Sequence, residues 1–378
     1  MLTLGVVGSA HKPDERRLPI HPAHVERIDA GLRDHIYLEH GYGERFGVAD
    51  DTLAPLVAGM RTREEILTGH DVVLLPKPLV GDATALRRGQ TLWGWPHCVQ
   101  DEAMTQTAID NGLTLIAWEA MNFWHDDGGF GVHVFHRNNE IAGYASVLHA
   151  MQLLGRTATY GPQLKAAVLS FGATARGAVT ALTSLGLHDV TVLTQRNPAS
   201  VASPIHSVQM INYERSDEYP QRVVTLRSPD PAPFVEQLGQ FDLVVNCVFQ
   251  DTEDPVLFVM SDELDRFKPG SLIVDVSCDE GMGFEWARPT SFAEPMLTVG
   301  DGVHYYAVDH SPSYLWDSAT WEISEALLPF LETVMAGPSA WDGDDTIRRA
   351  IEIRDGVVQN PKILAFQGRE PEHPHVKR

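Results

Sequence analysis

The chain has 378 residues, 43% of them hydrophobic and 21% charged, which suits two or three separately cored domains and excludes a disordered chain. Its 51 acids against 29 lysines and arginines leave a formal net charge of −22 with no basic run, so binding to a phosphate backbone is disfavoured. Three dispersed cysteines and the lack of any apolar stretch near the roughly 20 residues that span a bilayer point to a reducing, cytoplasmic setting, with neither a disulfide framework nor a membrane span.

The opening run MLTLGVVGSAHKPDERR has no basic region ahead of its apolar segment, so no export signal is expected, and residues 2–8 read as a buried strand. A polar loop follows, with a helix expected from about Pro22. Within the loop, Arg16 and Arg17 are candidates to clamp a small carboxylate, because a guanidinium grips it through two parallel hydrogen bonds; two solvated surface arginines would read the same way. Short strands at 36–38 and 71–75 come next, the second ending at Pro76-Lys77-Pro78, where two prolines hold the lysine in extended geometry. The segment LRRGQTLWGWPHCVQ carries a further strand that ends near His97, and a helix at 101–111 leads to a strand at 114–118. Strands alternating with helices predict a mostly parallel sheet with its ligand side at the carboxyl edge, where Lys77 and His97 fall. A half-buried structural histidine remains an equal reading of His97 from the residues alone. His21-x-x-His24 has no companion ligands at useful spacing, so no metal site is expected. Residues 126–139 read as an exposed loop or hairpin, and 140–154, with Ala145, Leu148, Met151 and Leu154 at helical spacing before Gly155, as a helix joining two domains.

The stretch 165–185, KAAVLSFGATARGAVTALTSL, reads as strand, tight turn and helix in immediate succession. A helix N-terminus preceded by small residues is where a dinucleotide pyrophosphate binds, since unpaired N–H groups and the positive dipole end point at it. The glycine fingerprint is degraded here to Ser170-x-Gly172-x-x-Ala175, with Gly177 two residues later, and an ordinary strand-to-helix turn is the competing reading. The next strand, 189–193, ends in Thr194, Gln195 and Arg196. An acid commonly stands there to bind the ribose hydroxyl of NAD; its absence, with Arg196 present, favours NADP, NAD remaining possible. Strands at 223–226, 241–247 and 271–277 continue a doubly wound pattern, with Asp279 and Glu280 just past the last. A strand at 305–308 and a long helix after His310, with Leu315, Ala319, Ile323, Leu327 and Leu331 on one stripe and a kink at Pro329, lead to a tail from about Gly368 that is expected to be mobile.

The runs ERRLPIHPAHV, LLPKP, LRRGQTLWGWPH and VDVSCDEGMGFEWARPTSF, in this order, resemble the alanine dehydrogenase and pyridine nucleotide transhydrogenase family, and GWPH with EIAGYASVLHAMQLLG resembles its carboxyethyl-ornithine synthase branch. The resemblance implies an α/β protein of two doubly wound domains, residues 1–139 with 310–378 and a Rossmann domain 140–309, with the active site in the cleft between them. It implies Arg17 for the substrate carboxylate, Lys77 as a substrate-binding and catalytic lysine, His97 as general acid/base and Asp279 as the catalytic aspartate. It further implies a nucleotide site over Ser170, Gly172, Ala173, Thr174, Ala175, Thr194, Arg196, Val248 and His310, the last standing where the family usually has an asparagine. The activity implied is NAD(P)H-dependent reductive condensation of a 2-oxo acid with an amine by a homo-oligomeric enzyme. Ammonia chemistry of the alanine dehydrogenase type, or a non-catalytic nucleotide-binding subunit, are the other readings. The acids Asp279, Glu280 and Glu119 near strand ends suit an ammonium-bearing substrate.

Overall fold

Apolar runs of three to five residues, too short for helices and bounded by glycine, proline or polar residues, become the middle strands of two sheets. A computed structural model describes residues 1–196, 208–218, 222–225, 232–251 and 254–378. The chain divides into two compact units, Met1–His136 with Trp316–Arg378, and Arg137–Leu315. These divisions fall at the start of one helix and at the head of another, where the sequence suggests borders at 139/140 and 309/310. Among the described residues no helix is long and apolar enough to cross a membrane.

In the first unit, Gly59–Arg61, Ile36–Glu39, Leu4–Val6, Val72–Leu74, Thr91–Gly94 and Thr114–Ala117 lie side by side and all parallel. Both faces are covered. Leu4, Val6, Leu38, Val72 and Leu74 pack with Trp93, Trp118 and the C-terminal Ile323, Leu327 and Leu331. Val73, Leu92 and Leu115 pack on the other side against Ile66, Met104 and Ala108. Local chemistry sets the helix starts: the Thr62 hydroxyl accepts from Glu65 N–H while the Glu65 carboxylate accepts from Thr62 N–H, so the Arg63–Gly69 helix begins with reciprocal capping worth about 1 kcal/mol.

The second unit repeats the plan. Val208–Arg215, Asp189–Thr194, Lys165–Leu169, Leu243–Asn246, Leu272–Asp275 and Val303–Tyr306 run parallel. In both sheets the strand order turns back at the first strand, between Leu4–Val6 and Val72–Leu74 and between Lys165–Leu169 and Leu243–Asn246. Diverging connections at such a point leave a crevice at the carboxyl ends.

Several expectations change. The segment after His21 is a 3-10 helix, Pro22–Arg27, with the His21 imidazole capping it. The strand Val208–Arg215, unread in the sequence because polar residues alternate through it, is the third parallel strand. Val223–Thr225 pairs antiparallel to it rather than starting another strand-helix unit, and Leu226, which the sequence reading included, lies outside the described residues. Met296–Val299 adds an antiparallel edge to Val303–Tyr306. The long C-terminal helix is broken as well as kinked, into Trp316–Leu327, a 3-10 turn Leu328–Phe330 at Pro329, and Leu331–Ala336. The tail is packed. Arg369 and His375 are buried, and His375 Nε2 accepts from Val358 N–H at 3.0 Å. Hydrogen bonding of polar groups, invisible to an apolar-period reading, holds it. Ile351–Arg354, also unread, adds an antiparallel strand to Thr114–Ala117.

Gly177 explains the displaced fingerprint. A Cβ there would stand 1.7 Å from Glu140 O, and one at Gly143 would stand 1.9 Å from Thr174 O, so the His136–Leu153 and Ala173–Ser184 helices touch backbone to backbone. Gly177→Ala should therefore lower unfolding free energy by about 1–3 kcal/mol, as overpacking does, read as a fall in chemical-denaturation midpoint; an unchanged midpoint would mean the helices part without loss.

Candidate active site

In the first unit the residues at the strand-order reversal converge on one indole. Arg17 is buried and its guanidinium carbon stands 5.2 Å from the Trp95 ring centre; Lys77 Nζ stands 5.5 Å from the same ring. Arg17 donates through Nε and Nη2 to Glu15 at 2.8 and 2.5 Å. Burial alone would raise the Glu15 carboxyl, but the Arg17 charge and hydrogen bonds overcome it and hold the group down to about 2. An arginine at such depth is tolerable because its counter-charge travels with it. Arg16 faces outward, its side chain 52% exposed against 2% for Arg17, which separates the two candidates.

Lys77 and His97 are brought together by the close approach of two strand ends. A Cβ at Gly94 would lie 1.9 Å from Leu75 O, so glycine there is what lets Trp95 N–H reach Pro76 O at 2.9 Å. Lys77 Nζ then lies 2.7 Å from His97 Nε2. An ammonium has no lone pair, so Nε2 accepts this bond. His97 itself adopts φ +50°, the left-handed region that costs a residue other than glycine about 1–3 kcal/mol and concentrates at functional positions. Its backbone N–H donates to Glu119 Oε1 at 2.7 Å, and its Nδ1 is 3.7 Å from that oxygen. Glu15 and Trp95 were not singled out from the sequence. The signal for Trp95 is its place between Gly94 and His97; nothing in the sequence marks Glu15. His21 and His24 turn to Asp317 and to Ser324 and Glu325.

In the second unit the turn after Lys165–Leu169 carries the cradle. Ser170 takes φ +79°, where the fingerprint has its first glycine, and donates its N–H to Leu193 O at 2.8 Å. Gly172 caps the Ala173–Ser184 helix with no side-chain acceptor, and a Cβ on it would meet nothing within 4 Å. The N–H groups of Ala173, Thr174 and Ala175 thus open the helix without a side-chain cap, which fits an anionic diphosphate. Thr194 is buried at the end of Asp189–Thr194 and its hydroxyl accepts from Arg196 N–H at 3.1 Å, while Asn212 donates to Arg196 O at 2.9 Å. No acid stands at that strand end; residues 197–207 lie outside the described residues.

Beside the same reversal, Val248 N–H donates to Asn246 Oδ1 at 3.1 Å and Val248 O accepts from the Ser277 hydroxyl at 2.6 Å. Behind them, Asp275 accepts from Asn246, Cys278 N–H and the Tyr305 hydroxyl, at 2.9, 3.0 and 2.8 Å. Burial pushes Asp275 up to about 6, against those donors and helped by the nearby Asp279 charge. These bonds shape the loop in which Cys278 takes φ +45° and presents Asp279, whose carboxyl burial also raises. Glu280 is exposed. His310 is buried, its Nδ1 2.5 Å from Asp309 Oδ1 and its ring edge-on to Phe292 at 5.0 Å.

Two family models match: the N-terminal domain of alanine dehydrogenase/PNT over residues 6–142 and its C-terminal domain over 148–361. The chain belongs to the alanine dehydrogenase/PNT family. It is 26% identical over 324 residues to an N(5)-(carboxyethyl)ornithine synthase of Clostridium botulinum, covering 83% of this chain and 89% of that one. It is also 26% identical over 378 residues to an alanine dehydrogenase of Halomonas elongata, covering 95% of each. Among solved structures, an L-alanine dehydrogenase superposes with a TM-score of 0.74 at 20% identity, over 96% of this chain and 98% of that one. A transhydrogenase from Sinorhizobium meliloti superposes with 0.71 at 21% identity, over 95% and 99%. The two-domain α/β fold expected from the sequence is that of these structures.

Proposed function

We propose that the chain is a pyridine-nucleotide-dependent oxidoreductase that reductively condenses a pyruvate-like 2-oxo acid with the amine of an amino acid. The observation that carries this reading is the Lys77–His97 contact of 2.7 Å beside the Trp95 ring that Arg17 also approaches. A buried guanidinium, an ammonium and an imidazole in one cluster offer what a 2-oxo acid needs: a carboxylate partner, a donor to the carbonyl oxygen and a proton carrier.

In this reading Arg17 holds the carboxylate and Lys77 polarises the carbonyl. The ammonium gives up one proton, adds as the free amine to the carbonyl carbon and gives up a second; His97 relays the two protons to the carbonyl oxygen, so that the C–O bond breaks, water leaves and a protonated C=N bond remains. Asp279 holds the incoming ammonium or its water. The nucleotide, when bound, supplies the hydride. Ser170, Gly172, Ala173, Thr174 and Ala175 would hold its diphosphate, with Val248 and His310 nearer the ring and Thr194 with Arg196 at the adenosine end. An imidazole suits a proton carrier that works in both directions near neutrality.

Two features support an organic amine: the similarity to the carboxyethyl-ornithine synthase, and the GWPH and AGYASVLHA segments, which resemble that branch. Reductive amination with ammonia is the second reading, favoured by the alanine dehydrogenase match across 95% of both chains.

Pyruvate with NADPH and ornithine or lysine should give nucleotide oxidation and a product whose mass is that of the secondary amine; oxidation with ammonium alone, yielding alanine, would decide for the second reading. His97→Ala should lower kcat by about 10²–10⁴ with nucleotide affinity unchanged, as loss of a general acid/base does, and near-normal turnover would make His97 structural. Because Thr194 and Arg196 replace the usual acid, fluorescence titration should find NADPH bound more tightly than NADH, and Arg196→Ala should shrink that ratio. Equal affinities untouched by the substitution would refute the assignment.

A further inference from the structure

A cavity lies one strand away from the Arg17 and Lys77 cluster. In the first sheet Ile36–Glu39 stands on one side of Leu4–Val6, and Val72–Leu74, which leads to Lys77, stands on the other. Beyond the carboxyl ends of Leu4–Val6 and Ile36–Glu39, a cavity of about 460 Å³ opens among Ser9, Leu18, Glu39, Tyr42, Glu44 and Arg45. That is room for a small metabolite.

Its walls are fixed. Glu39 is buried and accepts from Gly8 N–H, Ser9 N–H and the Ser9 hydroxyl at 2.7, 2.8 and 2.5 Å, which ties the two strand ends together. The Tyr42 hydroxyl donates to Ile20 O at 2.6 Å and accepts from Ile20 N–H at 3.0 Å, fastening the loop after Ile36–Glu39 to the segment that carries Arg17. Arg45 adds a second fastening, since its Nη1 donates to Arg16 O at 2.8 Å, and its guanidinium carbon stands 5.8 Å from the Trp316 ring.

The charges that line the cavity are not used up by these contacts. A guanidinium has five N–H donors, and among the described residues the bond to Arg16 O is the only one that the Arg45 side chain makes. Among the same residues neither Arg45 nor Glu44 is in an ion pair, and both are exposed. Burial first, then the Arg16 charge, lower Arg45 from its ordinary value against the pull of Glu15, as befits a guanidinium short of a counter-charge. Two unspent charges of opposite sign, adjacent in sequence, match a zwitterion: a carboxylate for the Arg45 fork and an ammonium for Glu44. A phosphate fits poorly, because Glu39 and Glu44 line the same cavity and repel a double negative charge.

We propose that this cavity receives the amino-acid head of the amine substrate, its carboxylate on Arg45 and its α-ammonium on Glu44, so that the nitrogen which reacts is the distal one of a diamino acid.

This rests on the condensation proposed above, for which it names the class of amine. Neighbouring strands stand about 4.8 Å apart, so the gap that holds the cavity and the gap between Leu4–Val6 and Val72–Leu74 are separated by roughly that distance. A zigzag of four single bonds of about 1.5 Å spans roughly 5 Å. The head can therefore rest in the first gap while the distal nitrogen enters the second, where Arg17 and Lys77 hold the oxo acid. Ammonia needs no such compartment.

Ornithine and 1,4-diaminobutane differ by one carboxylate. With NADPH bound and no oxo acid present, calorimetric titration of the parent protein should find ornithine about 10-fold tighter or more, the scale of one charge-assisted pair. In Arg45→Gln that ratio should fall to about one, and Arg45→Lys, which keeps the charge without the fork, should restore part of it. Glu44→Gln should likewise abolish the preference for ornithine over 5-aminopentanoate, its analogue without the α-ammonium. Pyruvate affinity should stay as in the parent throughout. Equal binding of ornithine and 1,4-diaminobutane by the parent, no binding of either, or a preference that survives its substitution would each overturn the assignment. So would an equal loss of pyruvate affinity in Arg45→Gln, which would mean that Arg45 acts only through the Arg17 segment. The two readings fail separately. Carboxylate-dependent ornithine binding in a protein that makes only alanine from ammonium would keep the cavity and remove the condensation; condensation with an unchanged ornithine KM in Arg45→Gln would keep the reaction and remove the cavity.

Discussion

A parallel sheet that grows in both directions from its first strand leaves two neighbouring carboxyl ends whose connections depart to opposite sides. The groups gathered at the strand-order reversal of each unit hang on that constraint, which each unit meets once. Arg17 follows the first strand of its unit, Lys77 the fourth and His97 the fifth. In the other unit Ser170 and Gly172 follow the first parallel strand, Val248 the fourth and Asp279 the fifth. The seven residues are spread over more than 260 positions of sequence, yet within each unit the strand order alone assigns them to one edge.

Charge then has to be accommodated at those edges without water. The chain does so in two ways. Arg17 is buried with its own counter-ion two residues away, so the pair is assembled locally before any tertiary contact forms. Glu119 and Asp275 have no such cation. They are met by backbone N–H groups and neutral donors, and burial moves both upward, Glu119 to about 8 and Asp275 to about 6. A buried carboxyl that is neutral part of the time is less unfavourable than a permanent anion, and it responds to pH where Glu15 does not.

The alternation of strands and helices, the Lys77 and His97 strand ends and the Ser170–Ala175 turn were legible because each depends on a local pattern. Thr194 at the end of its strand was legible for the same reason. What escaped depends on distance. Val208–Arg215 alternates polar and apolar residues and becomes a strand through its neighbour, Asp189–Thr194. The tail lacks an apolar period because Arg369 and His375 are buried by hydrogen bonds rather than by hydrophobic contact. Ser170 looked like a defect in a glycine pattern; the backbone takes the glycine conformation regardless, and the missing third glycine proves to be Gly177, moved to where two helices meet.

The edge strand Ile351–Arg354 also imposes an order on biosynthesis. A ribosome makes Thr114–Ala117 early, then the whole of the second unit, and only afterwards the strand that closes the first sheet. Throughout that interval the Thr114–Ala117 backbone presents unpaired N–H and C=O groups, the kind of edge on which chains associate wrongly. At an elongation rate of about 5–20 residues per second, the delay of more than 230 residues lasts roughly 12–50 seconds. The nascent first unit must spend that time incomplete, with the environment of His97 unfinished, while the second unit has already been synthesised.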